Sequence, residues 1–395
     1  MKYAIIIPDG AADLPVKDLG GKTPLEAAAT PHMDWIAAHG KCGTVRTIPR
    51  DMHPGSDVAI LSVLGYDPRQ YYTGRAPLEA AAQGLLVGAD EWIFRCNLVT
   101  IIDGLMEDYS AGHISSEEAA ALVAQLNATL SGQNVRFYNG VSYRHLMTLK
   151  ASCDVQTTPP HDILGKPVAS HLPTGRHSEL LREIMDQATG LLKDHEVNNV
   201  RRDLGENIAN AIWLWGQGKM PQLPSFIERF GLRGAAVTAV DLVRGISKLI
   251  GWECVEVAGA TGYLDTNYAG KGVAAIEALN RVDVVCIHVE ATDECGHNAD
   301  AAGKVEALTQ IDKHIVGPVL GRLQAEGDQW RVMVLPDHPT PVSLRTHTAE
   351  PVPFAIAGLR MPGLAHEAFS ESAAAASDLH ILHGHELMEF FLTVH

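Results

Sequence analysis

Short runs of apolar, mostly β-branched residues recur along the chain, and turn-forming or polar residues follow each of them. These runs predict strands of one sheet at Tyr3–Ile7, Thr44–Ile48, Ala236–Val240, Cys254–Val257, Val282–Val289, Arg331–Leu335 and Phe354–Ala357. Between several of them, Ala274–Asn280 and Lys304–Leu323 carry apolar residues three and four positions apart, which predicts helices. Apolar strands that alternate with helices are typical of an α/β protein whose mainly parallel sheet lies between helices.

The segment 92–177 has a different pattern. It contains the strand-like runs Ile93–Ile102, Val135–Tyr138 and Leu146–Leu149, one helical stretch at Ser116–Leu130, and a Pro-rich stretch. We therefore predict a smaller α+β domain at 92–177, inserted into a core formed by residues 1–91 and 178–395. From residue 178 onward the helical pattern is expected to resume, through RRDLGENIANAIWLWGQG, before the chain returns to the sheet.

The composition argues against two classes of partner. The formal charge is −16, with 47 acidic residues against 31 basic ones, and such a field repels nucleic acid and anionic membrane surfaces. No stretch approaches the roughly 20 apolar residues that span a bilayer. The six cysteines are scattered without a C-x-x-C pair, which is typical of reduced thiols in the cytoplasm. The sequence leaves the oligomeric state open.

Acidic residues follow three of the predicted strands, at the ends where functional residues of parallel sheets collect. Asp9, Asp293 and Asp337 each lie one to four residues past an apolar run. His338 is adjacent to Asp337, and His297 lies one helical turn after Asp293. Carboxylates and imidazoles suit divalent cations, so these residues predict a metal centre. A further acid nearby, Glu290, is expected to support the site or to be solvated.

Ser56 and His347 are candidates of a weaker kind. Ser56 follows Pro54-Gly55 and precedes an apolar run, so it is first interpreted as a helix N-cap. A helix start also favours a bound phosphate, and a serine beside a cation loses its proton more easily. His347 precedes a strand and is the candidate for one more imidazole beside Asp293 and His297.

Long motifs in a fixed order link these residues to a known family. They include IIIPDGAAD, PGSDVAILSVLGYDP, YYTGRAPLEAAAQG, HVEATDECGH, LPDHPTP and RTHTAEPVPF. The chain resembles the cofactor-independent (2,3-bisphosphoglycerate-independent) phosphoglycerate mutases of the archaeal type, within the alkaline phosphatase superfamily. The resemblance implies an alkaline-phosphatase-like core with an inserted, substrate-covering domain. It also implies an isomerase that interconverts 3-phosphoglycerate and 2-phosphoglycerate through a phosphoserine.

The resemblance further implies a role for each candidate residue. Ser56 would carry the phosphoryl group, and one divalent ion would be held by Asp9, Ser56, Asp337 and His338. The other ion would be held by Asp293, His297 and His347. Manganese is common in the family, with zinc, cobalt or magnesium among relatives. Family-like stretches supply candidates for binding the small phosphorylated substrate, namely Arg95, Arg144, His161, Asp162, Arg201, Arg244 and Lys271.

Three other functions stay open at this point. A bacterial branch close to this family has been proposed to phosphorylate homoserine, and the absence of a phosphate-binding G-x-x-x-x-G-K-[ST] loop argues only weakly against that. A metal-dependent phosphatase or sulfatase is the second alternative. The third is a non-enzymatic protein that retains the metal site, which a missing nucleophile or ligand would favour.

Overall fold

The computed structural model describes residues 1–132, 134–363 and 368–393. The chain forms two compact units, the first comprising Met1–Tyr72 and Gln222–His395 and the second Thr73–Pro221. Among the described residues, no helix is both long and apolar enough to cross a membrane. The strands, in chain order, are β1 (Lys2–Pro8), β2 (Lys41–Val45), β3 (Trp92–Ile102), β4 (Leu105–Asp108), β5 (Val135–Val141), β6 (Arg144–Leu149), β7 (Asp154–Gln156), β8 (Thr174–Arg176), β9 (Ala211–Lys219), β10 (Gly234–Val237), β11 (Glu253–Val255), β12 (Val284–Val289), β13 (Trp330–Val334), β14 (Val352–Gly358) and β15 (His380–Ile381).

The α-helices, in chain order, are α1 (Pro24–Ala27), α2 (Pro31–Ala38), α3 (Ser56–Val63), α4 (Pro68–Tyr71), α5 (Arg75–Gln83), α6 (Ser116–Leu130), α7 (Ser178–Leu192), α8 (Glu196–Asp203), α9 (Phe226–Phe230), α10 (Asp241–Leu249), α11 (Tyr268–Ala278), α12 (Ala291–His297), α13 (Ala301–Ile311), α14 (Gly317–Gln324), α15 (Glu371–Ala375) and α16 (Leu387–Leu392). The predicted helix Lys304–Leu323 corresponds to α13 and α14, which a π-helical turn at Asp312–Val316 joins. The carboxylate of Asp312 accepts hydrogen bonds from the backbone of His32 and Met33, so it caps the start of α2.

The first unit is built on a sheet that contains, within the described residues, eight strands in the order β11-β10-β12-β1-β13-β14-β2-β15. The strands from β11 to β13 are parallel to their neighbours, whereas β14 is antiparallel to β13 and β2. β12 is buried along its whole length, and β1 is buried beyond its first residue. The predicted α/β class with a mainly parallel sheet is confirmed, and the carboxyl ends of β12, β1 and β13 share one edge.

One predicted strand of this sheet is displaced. The expected strand Thr44–Ile48 begins three residues earlier in the structure, as β2. Gly43 lies inside β2, where an added Cβ would lie 2.2 Å from the backbone oxygen of Leu379. The close approach of the two chain segments requires a glycine. Because glycine is not β-branched, it interrupts the pattern that predicts a strand.

The second unit is wider than the predicted insertion at both ends. Its sheet pairs β3 with β4, β6 and β9, and β5 with β6, in antiparallel fashion throughout. The segment AIWLW, expected within a helical stretch, forms β9 instead, and that prediction is wrong. A continuous apolar run fits a buried strand as well as a buried helix, and β9 is buried across AIWLW. Because β9 and α5 pack on β3, the unit extends over Thr73–Pro221 rather than 92–177.

Candidate active site

Adjacent parallel strands bring three of the predicted ligands together. Asp9 follows β1 directly, and Asp337 and His338 follow the neighbouring strand β13. The Nε2 atom of His338 lies 3.5 Å from Asp9 Oδ1 and 3.5 Å from Asp337 Oδ2. Asp9, Asp337 and His338 are all buried. We call these three residues the inner cluster.

Asp293, His297 and His347 form a second group, which we call the outer cluster. His297 Nε2 lies 3.2 Å from Asp293 Oδ2, and His347 Nε2 lies 3.3 Å from Asp293 Oδ1. The two imidazole Nε2 atoms are 3.0 Å apart. Two ligand atoms that are each about 2.1 Å from one ion lie about 3.0 to 3.4 Å apart in octahedral or tetrahedral geometry. The outer cluster therefore has the spacing that one shared divalent cation requires.

The outer cluster couples one carboxylate to two imidazoles. Burial raises the pKa of Asp293, but hydrogen bonds from His297 and His347 outweigh burial and hold that pKa well below its usual value. The hydrogen bond with Asp293 raises the pKa of His297 to about 9. A metal ligand must be a neutral imidazole, so a cation at this position would displace the proton of His297.

Ser56 lies beside the inner cluster, at the first turn of α3. Its Oγ atom is 3.1 Å from His338 Nε2. The expectation that Ser56 caps the helix is wrong, because Gly55 occupies the N-cap. The Ser56 hydroxyl is therefore not engaged in capping and lies beside the imidazole of His338.

Two buried carboxylate oxygens of the inner cluster have no hydrogen-bond partner within the described residues, namely Asp9 Oδ1 and Asp337 Oδ2. By contrast, Asp337 Oδ1 accepts hydrogen bonds from the backbone of Gly10 and His338, at 3.0 and 2.9 Å. Burial, followed by the charges of Asp337 and Asp293, raises the pKa of Asp9 well above its usual value. Buried carboxylates of this kind require a positive charge, so the inner cluster also fits a divalent cation.

Sequence reasoning missed Thr340, which connects the two clusters. Its buried hydroxyl donates a hydrogen bond to Asp293 Oδ1 and lies 3.2 Å from His338 Nδ1. Behind it, the buried Lys304 donates to Asp13 Oδ2 at 2.7 Å and to the backbone oxygen of Thr340 at 2.8 Å. Thr340 belongs to the LPDHPTP motif, and Lys304 contacts that motif. The sequence, with Thr340 between two prolines, does not predict which groups its side chain contacts.

Sequence reasoning also missed His288, the penultimate residue of β12. Its side chain is buried, and its Nε2 atom lies 2.9 Å from Asp9 Oδ2. A histidine inside an otherwise apolar strand was the available signal. Glu290, two residues later, contributes a charge that raises the pKa of Asp9.

Several predicted substrate residues converge in the second unit, around Trp215. The Arg95 guanidinium stacks on the Trp215 ring at 4.2 Å, and its Nε atom lies 3.0 Å from Glu79 Oε2. The His161 ring is 5.3 Å from the same indole. Burial lowers the pKa of Arg95 to about 10, and the charges of Arg75 and Arg144 add to this shift. We call Arg75, Arg95 and Arg144 the cationic cluster; Arg75 had no assigned role. Burial, together with the charges of Arg75 and Arg95, lowers the pKa of the neighbouring His161.

The other substrate candidates lie elsewhere. Asp162 is exposed and 3.8 Å from His161. Arg201 is buried in the second unit, where it pairs with Glu118 and Glu206. In the first unit, Arg244 pairs with an exposed Glu256, and the buried Lys271 donates to the backbone oxygen of His288 at 3.2 Å. Arg201 and Arg244 are thus engaged in ion pairs outside the inner and outer clusters.

The amino-acid sequence is similar to known proteins. A family model described as 2,3-bisphosphoglycerate-independent phosphoglycerate mutase matches residues 37–198. The chain is 50% identical over 392 residues to the 2,3-bisphosphoglycerate-independent phosphoglycerate mutase of Methanothrix thermoacetophila, covering 99% of this chain and 100% of that relative.

Two solved structures are similar to the chain over nearly its whole length. A cofactor-independent phosphoglycerate mutase from Thermoplasma acidophilum is 26% identical, with a TM-score of 0.69 and coverage of 99% of both chains. A protein from Pyrococcus horikoshii is 30% identical, with a TM-score of 0.84 and coverage of 99% of this chain and 96% of that one.

Proposed function

The chain belongs to the 2,3-bisphosphoglycerate-independent phosphoglycerate mutase family, and we propose from this premise that it interconverts 3-phosphoglycerate and 2-phosphoglycerate. The activity is that of an isomerase, an intramolecular phosphotransferase. The observation that carries the residue assignment is the position of Ser56 Oγ, 3.1 Å from His338 Nε2 and beside the inner cluster. A hydroxyl at a helix start, next to buried ligands, suits a nucleophile for phosphoryl transfer.

Two divalent ions are part of the proposal. Asp9, Ser56, Asp337 and His338 would hold one of them, and Asp293, His297 and His347 would hold the other. When bound, the ions would favour the alkoxide of Ser56 and neutralise phosphoryl oxygens. Manganese is the proposed metal, because mixed carboxylate and imidazole ligands accept it.

In the first half of the reaction, Ser56 Oγ attacks the phosphorus of 3-phosphoglycerate in line with the 3-oxygen. The bond from phosphorus to that oxygen breaks, and the proton from the serine ends on the new 3-hydroxyl of glycerate. In the second half, the 2-hydroxyl attacks the phosphoserine and its proton returns to Ser56 Oγ. Atoms and charge balance without a co-reactant, and no 2,3-bisphosphoglycerate is consumed.

The second unit is proposed to cover the substrate and to bind its carboxylate. The cationic cluster supplies the planar guanidinium donors that suit a carboxylate, and Trp215 holds Arg95 in a fixed orientation. Water must be excluded while the phosphoserine exists, since its hydrolysis would make the protein a phosphatase. We also propose a cytoplasmic location, which the six free thiols support.

The test measures 2-phosphoglycerate formation from 3-phosphoglycerate, with excess enolase as the coupling enzyme and no 2,3-bisphosphoglycerate. Chelation is expected to abolish activity and Mn²⁺ to restore it. Ser56→Ala should lower kcat at least about 10³-fold, because it removes the nucleophile itself. Ser62→Ala, on the same helix, is the matched control and should keep its activity.

Two outcomes would contradict the proposal. One is ATP-dependent phosphorylation of homoserine without mutase activity. The other is release of inorganic phosphate as the main product, which would indicate a phosphatase. Trapped enzyme analysed by peptide mass spectrometry should carry phosphate on the peptide that contains Ser56, and phosphate on another residue would overturn the assignment of the nucleophile.

A further inference from the structure

His288 projects from the end of β12 into the inner cluster without a hydrogen-bond role there. Its side chain is 1% exposed, and its Nε2 atom has no hydrogen-bond partner within the described residues. That atom nevertheless lies 2.9 Å from Asp9 Oδ2. The contact has the length of a hydrogen bond but not its geometry, and it is an ion pair only when the imidazole is protonated.

The same arrangement has the geometry of a metal site. Ligand atoms of Asp9, His288 and Asp337 all lie within 4.8 Å of one another. Two ligand atoms at right angles, each about 2.1 Å from one ion, are about 3.0 Å apart, close to the separation of Asp9 and His288. Asp337 Oδ2, buried and without a hydrogen-bond partner in the described part of the chain, supplies the third ligand.

The two oxygens of Asp9 approach different imidazoles. Oδ1 lies 3.5 Å from His338, the residue beside Ser56, whereas Oδ2 lies 2.9 Å from His288. We infer that Asp9, His288 and Asp337 form a third divalent-cation site, which shares both Asp9 and Asp337 with the site at His338. The ion at this site stands on the β12 side of Asp9, away from the nucleophile, and holds Asp9 and Asp337 in place.

The surroundings of His288 agree with ligation. Its other ring nitrogen, Nδ1, lies 3.3 Å from the hydroxyl of Thr238, which orients the ring. Lys271 donates to the backbone oxygen of His288, and the nearby Glu290 carries a charge that opposes that of Lys271. Because the charges of Lys271 and Glu290 offset each other, the negative charge beside His288 comes from the carboxylates of Asp9 and Asp337. A cation bound there would neutralise it.

The experiment counts ions rather than turnover, so it is independent of the mutase reaction. The full chain is stripped with chelator and dialysed against Mn²⁺, and bound metal is measured by mass spectrometry. His288→Leu, which removes the ligand, should bind one fewer equivalent than the wild type. His288→Glu should regain that equivalent, because a carboxylate also ligates Mn²⁺. His145→Leu removes another buried imidazole, in the second unit, and should leave the count unchanged.

The glutamate variant separates ligation from hydrogen bonding. If His288 only donates a hydrogen bond to Asp9, a glutamate would repel Asp9 and His288→Glu would bind no more metal than His288→Leu. That result, or an unchanged count in His288→Leu, overturns the inference. Crystals of the Mn²⁺-loaded wild type give a second readout that needs no variant. An anomalous peak between the three side chains is expected, and its absence at full occupancy of the other two positions also overturns the inference.

Discussion

The hydroxyl of Thr340 is expected to set the affinity of the metal centre, although it is not itself a proposed ligand. It donates to Asp293 of the outer cluster and lies 3.2 Å from Nδ1 of His338 in the inner cluster. Thr340→Val keeps the shape of the side chain, which is fully buried, and replaces the hydroxyl by a methyl group. The variant should therefore lose the orientation of both ligands while its fold is kept.

The size of the effect follows from the lost contacts. A hydrogen bond to a charged group is worth about 1.5 to 3 kcal/mol, and removing a partner of a metal ligand typically weakens metal binding about 10- to 100-fold. A tenfold change corresponds to about 1.4 kcal/mol, so the two figures agree. We expect the dissociation constant for Mn²⁺ to rise about 10- to 100-fold in Thr340→Val.

Thr340→Ser provides the opposite perturbation. It keeps the hydroxyl but deletes the methyl group, which packs against Gly296, where an added Cβ would lie 2.7 Å from Thr340 Cγ2. Losing that methyl group should cost about 1 kcal/mol of unfolding free energy and leave Mn²⁺ affinity near that of the wild type. Chelator competition measures the affinity, and urea denaturation of the metal-free protein measures the stability. Wild-type affinity in Thr340→Val would refute the reasoning, as would equal losses of affinity in both variants.

Two further predictions concern the second unit. Arg144→Ala should raise KM for 3-phosphoglycerate about tenfold, because it removes a hydrogen-bond donor to the carboxylate of the substrate. Arg136→Ala, which changes an exposed arginine on β5, should leave KM unchanged. Equal effects of the two substitutions would contradict the proposed role of the cationic cluster. Burial lowers the pKa of His145 to about 4, so the stability it contributes is fully present above its unfolded pKa of about 6.5 and is lost progressively as the pH falls from about 6.5 to about 4. Between pH 7.5 and 4.5 the metal-free wild type should lose about 2 to 3 kcal/mol more unfolding free energy than His145→Leu, and parallel curves would contradict this.

The acidic ligand candidates could be predicted from the sequence without knowledge of the order of the strands in the sheet. Asp9, Asp293 and Asp337 each follow a buried strand, and all parallel strands end at the same edge of a sheet. The prediction for His347 was weaker, because only the fold brings its loop to Asp293.

The role of His288 could not be found in this way. His288 is the one polar residue of β12, a strand that is buried along its whole length, but that signal does not predict what its side chain contacts. Its side chain meets Asp9 only because β12 and β1 pair in parallel, with His288 opposite Ile7. Strand β9 was missed for a related reason, because a run that is apolar on all sides carries no periodicity that separates a strand from a helix.

Gly10 explains why the two clusters can lie so close together. Its φ of +61° is in the left-handed region, and an added Cβ would lie 2.5 Å from both Asp293 Oδ1 and Thr340 Oγ1. Any side chain at position 10 would therefore separate the Thr340 hydroxyl from the carboxylate that it orients. The backbone N–H of Gly10 also donates to Asp337 Oδ1, so this residue touches the inner cluster as well. The Asp-Gly pair after β1 thus supplies a proposed ligand and, next to it, the space in which the proposed ligands that follow β12 and β13 meet.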